Sequence, residues 1–234
     1  MRKDRIMLKN KKLTAAFLLF AVWLYFIWAL MELWLYPLLE VNIQEKWLFT
    51  LLTDGLIKNL IWTASAIMLI KHFSSELHIG IRELFSFNKG CVKYTLFSVV
   101  LAAIVIAGAV IRRHGFAVNE NFEPSMLITY LLVGISEETV FRGFFLNATL
   151  SGAESSRSKR IAALIINAVM FLCIHFPIWI RSGMFVSSFT GGGFVTVMLL
   201  SMLFGYTMIK CRSLLPAVIM HSVYDLAIAV FVMV

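Results

Sequence analysis

Glu137, Glu138 and Arg142 put two carboxylates and a guanidinium into six residues of an otherwise apolar run, one long enough to read as a membrane-spanning helix. A single charge at mid-bilayer costs about 2.5–3.5 kcal/mol on insertion scales, so three together must be partnered or put to use. His221 and Asp225 stand four residues apart in a second apolar run, and His175 lies in a third. Carboxylates and imidazoles drawn from separate helices can activate water and stabilise developing charge. The pattern is that of a catalytic centre built within a membrane.

Spacing divides the labour. Glu138 and Arg142, at i and i+4, share a helix face and can form a mutual salt bridge that removes most of the burial penalty. Glu137 is rotated by about 100° from Glu138 and has no intrahelical cation. It can act as a general base if water reaches it, or sit protonated against a backbone carbonyl. His221 and Asp225 also share a face, where the pair can fix a tautomer, bind a metal or set donors around an oxyanion. His175, taken alone, is equally readable as a core histidine. His72, His78 and His114 flank loops, while Asp54 and Glu32 fall near span ends and should reach water.

The elements that position these groups follow from composition. Of 234 residues, 60% are hydrophobic and 15% charged, with a mean hydropathy of +0.86, far from a soluble domain. Apolar runs place spans near 13–34, 51–70, 94–111, 125–148, 161–180, 189–209 and 213–233. Asp54 and Lys58 weaken the start of the second. The expected architecture is an all-α polytopic membrane bundle of about seven transmembrane helices with a four-helix catalytic core. It divides into an N-terminal flank of three helices, residues 1–124, and a core of four, residues 125–234. The first run is too long for a signal h-region and lacks a small-residue cleavage site, so it reads as an uncleaved span.

The net charge of +8 does not imply nucleic acid, because the basic residues are scattered between apolar runs without an aromatic-basic motif. They follow the positive-inside rule. With a cytoplasmic N-terminus, fifteen of them fall inside, among them Arg2, Lys3, Arg5, Lys9, Lys71, Arg82, Lys159 and Arg212. Five remain outside: Lys46, Lys58, Arg112, Arg113 and Arg181. The C-terminus is then outside, and the basic inner loops suggest that a polar cavity opens inward. Cys91, Cys173 and Cys211 have no metal-ligand spacing and read as reduced.

EExxxR (Glu137–Arg142), FxxxH (Phe171–His175) and HxxxN/D (His221–Asp225), in that order on successive spans, resemble the CPBP family, which includes CAAX prenyl endopeptidases and the bacteriocin-processing or immunity proteins also called Abi. Leu203-Phe-Gly205-Tyr206 followed by Ser213-Leu-Leu-Pro216 is similar to the family's last two helices. The resemblance covers about residues 125–228.

It implies hydrolysis of a peptide bond in a membrane-associated peptide or membrane-protein substrate, in a multi-pass protein of the bacterial plasma membrane. Glu137 matches the water-activating glutamate, His175 the histidine that helps hold the water, Glu138 and Arg142 the supporting pair. His221 and Asp225 match the oxyanion site. Asp225 stands where Asn is frequent, and an ionised Asp cannot donate, so orientation of His221 is its expected role. No cofactor is expected, since HExxH is absent. Zinc is the alternative, with Glu137, His175, His221 and Asp225 as ligands. Two other classes stay in view: a bacteriocin self-immunity protein acting without essential catalysis, and a small proton-coupled transporter. Oligomeric state is left open.

Overall fold

In the computed structural model, which describes residues 11–120, 122–123, 125–152 and 156–232, every regular element is helical and no strand occurs among the described residues. The first helix, α1, is Lys11–Asn42. It is followed by α2 (46–72), the single turn α3 (Ile81–Leu84), α4 (Cys91–Arg113) and α5 (125–151). Next come α6 (Arg157–Cys173), the short α7 (Phe176–Arg181) and α8 (Phe185–Thr190), then α9 (Gly193–Cys211) and α10 (Leu215–Phe231). Arg2, Lys3, Arg5 and Lys9, used above for orientation, lie outside the described residues.

Four helical stretches are long and apolar enough to cross a membrane by length and composition: Lys11–Asn42, Cys91–Arg113, Arg157–Arg181 and Gly193–Cys211; Leu215–Phe231 is a shorter apolar helix. The expected second and fourth spans fold as the continuous helices α2 and α5, but each carries ionisable residues in its middle. The chain is a membrane protein.

Helix α5 is central. Its first half packs between α2 and α10, and its second half against α6; α10 lies in turn between α4 and α5. Contact with α10 is close because Gly134 has no side chain: a Cβ there would stand 2.2 Å from Ser222 Oγ and 3.3 Å from the Val218 carbonyl. The second half of α5 buries Phe141, Phe144 and Phe145 completely. Phe17 and Phe20 of α1 pack on the last two, and Trp62 and Phe171 on the first. Asn147 ties the loop after α2 to the end of α5, donating to the Ile79 carbonyl and accepting from its amide.

Helices α1, α2 and α5 each widen into π-helical turns, at Met31–Leu35, Leu51–Ile57 with Asn59–Thr63, and Thr139–Leu146. Such turns often mark functional segments. Side chains take up some of the carbonyls around them: Thr53 Oγ1 donates to Phe49, Asn59 Nδ2 to Gly55, and Asn167 Nδ2, from α6, to Phe141. Glu32, Asp54 and Arg142 lie within these turns, Lys58 joins two of them, and Glu137 and Glu138 directly precede the last. The buried charge of the molecule is thus concentrated where its helices are irregular.

Candidate active site

Glu137 and Glu138 come from α5, His221 and Asp225 from α10, all within about a turn of the Gly134–Ser222 approach that brings these helices together. His175 comes from the break between α6 and α7. That break has a local cause: Pro177 has no N–H to offer the Cys173 carbonyl and its ring clashes with it, so α6 stops at Cys173. Helix α1 fixes the break from outside, with Tyr25 Oη donating to the Met170 carbonyl at 2.6 Å and Trp28 Nε1 to that of Ile174 at 3.0 Å. His175 thus lies within the span-length stretch Arg157–Arg181, as a helix over 161–180 would have it, but at a turn that aims its ring.

Glu137 is not the unpaired carboxylate that its own helix suggests. Lys58 Nζ donates to Glu137 Oε1 at 2.5 Å, with the two residues 4% and 7% exposed. The ammonium also lies over the rings of Trp28 and Trp62, 4.9 and 4.7 Å from their centroids. Lys58 accordingly stands inside the bundle rather than in an outer loop. Its signal in the sequence was a lysine within the apolar run 51–70, which reads equally as a weak span start. The N-terminal helices contribute more than membrane character: α1 and α2 supply the cation and its aromatic seat.

His221 links the remaining groups. Its Nδ1 is 2.8 Å from Glu138 Oε1, and since a carboxylate only accepts, Nδ1 is the donor. Nε2 then faces Asp225 Oδ2 at 3.3 Å and Glu137 Oε2 at 3.7 Å. Glu138, rather than Asp225, holds the ring's far nitrogen, and Asp225 stands on the same side as Glu137. Arg142 Nη1 is 3.1 Å from Glu138 Oε1. Its guanidinium, with no exposed surface, lies over the Phe171 ring at 4.3 Å, and none of its three side-chain nitrogens makes a hydrogen bond of good geometry to the described residues. His175 Nδ1 donates to the Phe171 carbonyl at 2.7 Å, which leaves Nε2 as an acceptor.

Two cavities meet at this cluster, both lined by Glu137 and His175. The smaller, about 120 Å³, also touches His221, Asp225 and Phe204. The larger, about 260 Å³, runs past Lys58, Trp28 and Trp62 to Thr50, Asp54, Tyr130 and Ile178. Those last residues lie at the end of the bundle remote from the basic loops after α2, α5 and α9, opposite to the inward opening that loop charge suggests. Glu32 and Asp54 also differ from expectation. Glu32 is fully buried and paired with Arg181 Nε at 2.7 Å, while Asp54 is half-buried on the cavity wall.

A zinc site would gather three or four of Glu137, His175, His221 and Asp225 at about 2.0–2.2 Å from one point. Among the described residues no three His, Cys, Asp or Glu side chains converge in that way, and one Glu137 oxygen is taken by the Lys58 ammonium. The donor set as arranged does not fit a metal.

Fold and site together define an all-helical membrane protein with hydrated-sized cavities around a buried cluster of ionisable side chains. Residues 119–227 match the family model described as type II CAAX prenyl endopeptidase Rce1-like. That segment of the chain is similar to the CPBP/CAAX protease family. No curated protein and no solved structure matches the chain.

Proposed function

We propose that this protein is an intramembrane endopeptidase in which Glu137 activates water, in a bundle of about seven spans whose catalytic core is residues 125–234. The single observation that carries the reading is the oxygen Glu137 Oε2. It makes no hydrogen bond among the described residues and faces His221 Nε2 at 3.7 Å, and Glu137 lines both cavities together with His175. A carboxylate oxygen kept free while its twin is held by an ammonium is placed to accept a proton from water.

Water bound between Glu137 Oε2 and the acceptor His175 Nε2 gives a proton to Oε2 as its oxygen bonds to the substrate carbonyl carbon. The carbonyl π electrons move to oxygen. His221, carrying a proton on Nε2 that Asp225 helps to retain, donates to that oxyanion. Collapse re-forms C=O and breaks the C–N bond, and the proton on Glu137 passes to the leaving nitrogen. Glu138 and Arg142 act through His221, holding its ring. No step runs through a metal. The substrate is a membrane-associated peptide or protein, the protein lies in the bacterial plasma membrane, and its N-terminus is cytoplasmic.

The test compares membrane peptides by mass spectrometry in cells carrying the wild type or Glu137→Gln. A peptide that accumulates uncleaved only with the variant is the expected result. Indistinguishable peptide sets, together with no cleavage by the purified wild type, would overturn the assignment.

A further inference from the structure

The larger cavity carries a charge that the proposed chemistry does not use. Asp54 lies on its wall, half-buried, with no ion pair within 4 Å and no hydrogen bond to any of the described residues. Lys58, one turn further along α2, is committed to Glu137. Arg181, near the same end of the bundle, is committed to Glu32 and Glu40. Two carboxylates, Asp54 and Glu137, line the cavity with the lysine Lys58; the ammonium contacts Glu137 and reaches Asp54 only at longer range, so Asp54 has no cation in direct contact among the described residues. Such a charge is costly in a membrane protein unless something compensates it.

The geometry points to a basic side chain of the substrate as that compensation: we propose that Asp54 selects a lysine or arginine adjacent to the scissile bond. This rests on the endopeptidase reading. Asp54 is four residues from Lys58 on the same helix, so it stands about one turn away from the Glu137 carboxyl. A substrate with its carbonyl at Glu137 and His175 would send a neighbouring side chain along this cavity toward Asp54. The route suits a long amphipathic side chain, with Trp62, Val133, Ile174 and Ile178 flanking the stem and Asp54, beside the Tyr130 ring, receiving the charged end. The cavity, at about 260 Å³, has room for one such side chain.

Two readouts in lipid nanodiscs test this. In the first, purified wild type and Asp54→Asn are given a library of apolar decapeptides with lysine, arginine, citrulline or norleucine at each position, and cleavage sites are mapped by mass spectrometry. The wild type should cleave beside lysine or arginine about tenfold more often than beside citrulline, and Asp54→Asn should bring that ratio to within about twofold of unity, with Asp54→Glu restoring it. In the second, cleavage is removed by Lys58→Met with Glu137→Gln, which deletes one charge of each sign. Binding is then measured for an acetylated, amidated leucine octapeptide with one central arginine against its citrulline counterpart. Tighter binding of the arginine peptide that disappears on adding Asp54→Asn supports the proposal. Equal binding of the two peptides, or a preference that survives Asp54→Asn, overturns it. Selective binding without any cleavage by the wild type would instead remove the endopeptidase reading and leave the cation site standing.

Discussion

Deleting one member of the Lys58–Glu137 pair should cost far more stability than deleting both. The two residues are 4% and 7% exposed and 2.5 Å apart. Removing one partner of a buried pair leaves an uncompensated charge, with a typical cost of about 3–5 kcal/mol. Lys58→Met should fall in that range, because Glu137 is left with His221 Nε2 at 3.7 Å as its nearest cationic candidate. Glu137→Gln should cost about 1–2 kcal/mol less, since the ammonium keeps the faces of Trp28 and Trp62. The double variant replaces both charges by neutral groups of similar length and should lie within about 2 kcal/mol of the wild type. The resulting coupling is about 5 kcal/mol and at least about 2 kcal/mol, well beyond the roughly 0.5 kcal/mol scatter of independent sites. Reversible unfolding in mixed micelles, followed by far-UV circular dichroism for the four proteins, measures it. Additive effects of the two substitutions would show that the pair does not exist in the folded protein, and the water-activating geometry built on it would fall with it.

Gly134→Leu should force α5 and α10 apart, since even a Cβ there meets Ser222 Oγ at 2.2 Å; a loss of about 1–3 kcal/mol is expected from overpacking, and Gly134→Ala with Ser222→Ala should recover most of it in the same unfolding assay. Chelators should leave cleavage by the purified protein unchanged, because the four candidate ligands do not converge; loss of activity restored by zinc alone would contradict this. Outside the spans, the Arg212 guanidinium bonded to Glu83 holds that carboxyl below its usual value. A depressed folded-state pKa means the stabilisation is present above the ordinary glutamate range near 4.3 and is lost as pH falls below it. Arg212→Ala should therefore raise the Glu83 titration midpoint, read by carboxyl NMR, while changing stability by no more than about 1 kcal/mol, because both side chains are more than 40% exposed.

The sequence carried the helices and most of the ionisable cluster. Apolar runs about 20 residues long leave few alternatives to helices in a membrane, since lipid offers no partner for an open backbone. Ionisable residues at i, i+4 spacing announce shared faces whatever the tertiary fold. The structure brings Glu137, Glu138, Arg142, His221 and Asp225 into one chain of contacts, with His175 on the cavities they border. What periodicity could not reach was any relation between distant segments. Lys58 and Glu137 are 79 positions apart, and no local pattern distinguishes a lysine at a span end from one buried against a glutamate. The break at His175 was half visible in Pro177. Its position and the direction of the ring depend on Tyr25 and Trp28, about 145 residues earlier.

The division of labour that results is informative about what can vary. Residues 119–227, the stretch matched to the protease family, contain every group that the proposed reaction touches. Part of the wall of the larger cavity, Trp28, Thr50, Asp54, Lys58 and Trp62, lies before it. A carboxylate in the core is made tolerable by a lysine in the flank, and the flank also lines the route by which a substrate side chain would approach. At the site, core and flank are thus coupled by the Lys58–Glu137 ion pair: the flank helices can change what enters the cavity, but only while position 58 keeps a cation within reach of Glu137. Substitutions that alter specificity without loss of fold are therefore expected around Asp54 and not at Lys58, although the two are one turn apart on the same helix.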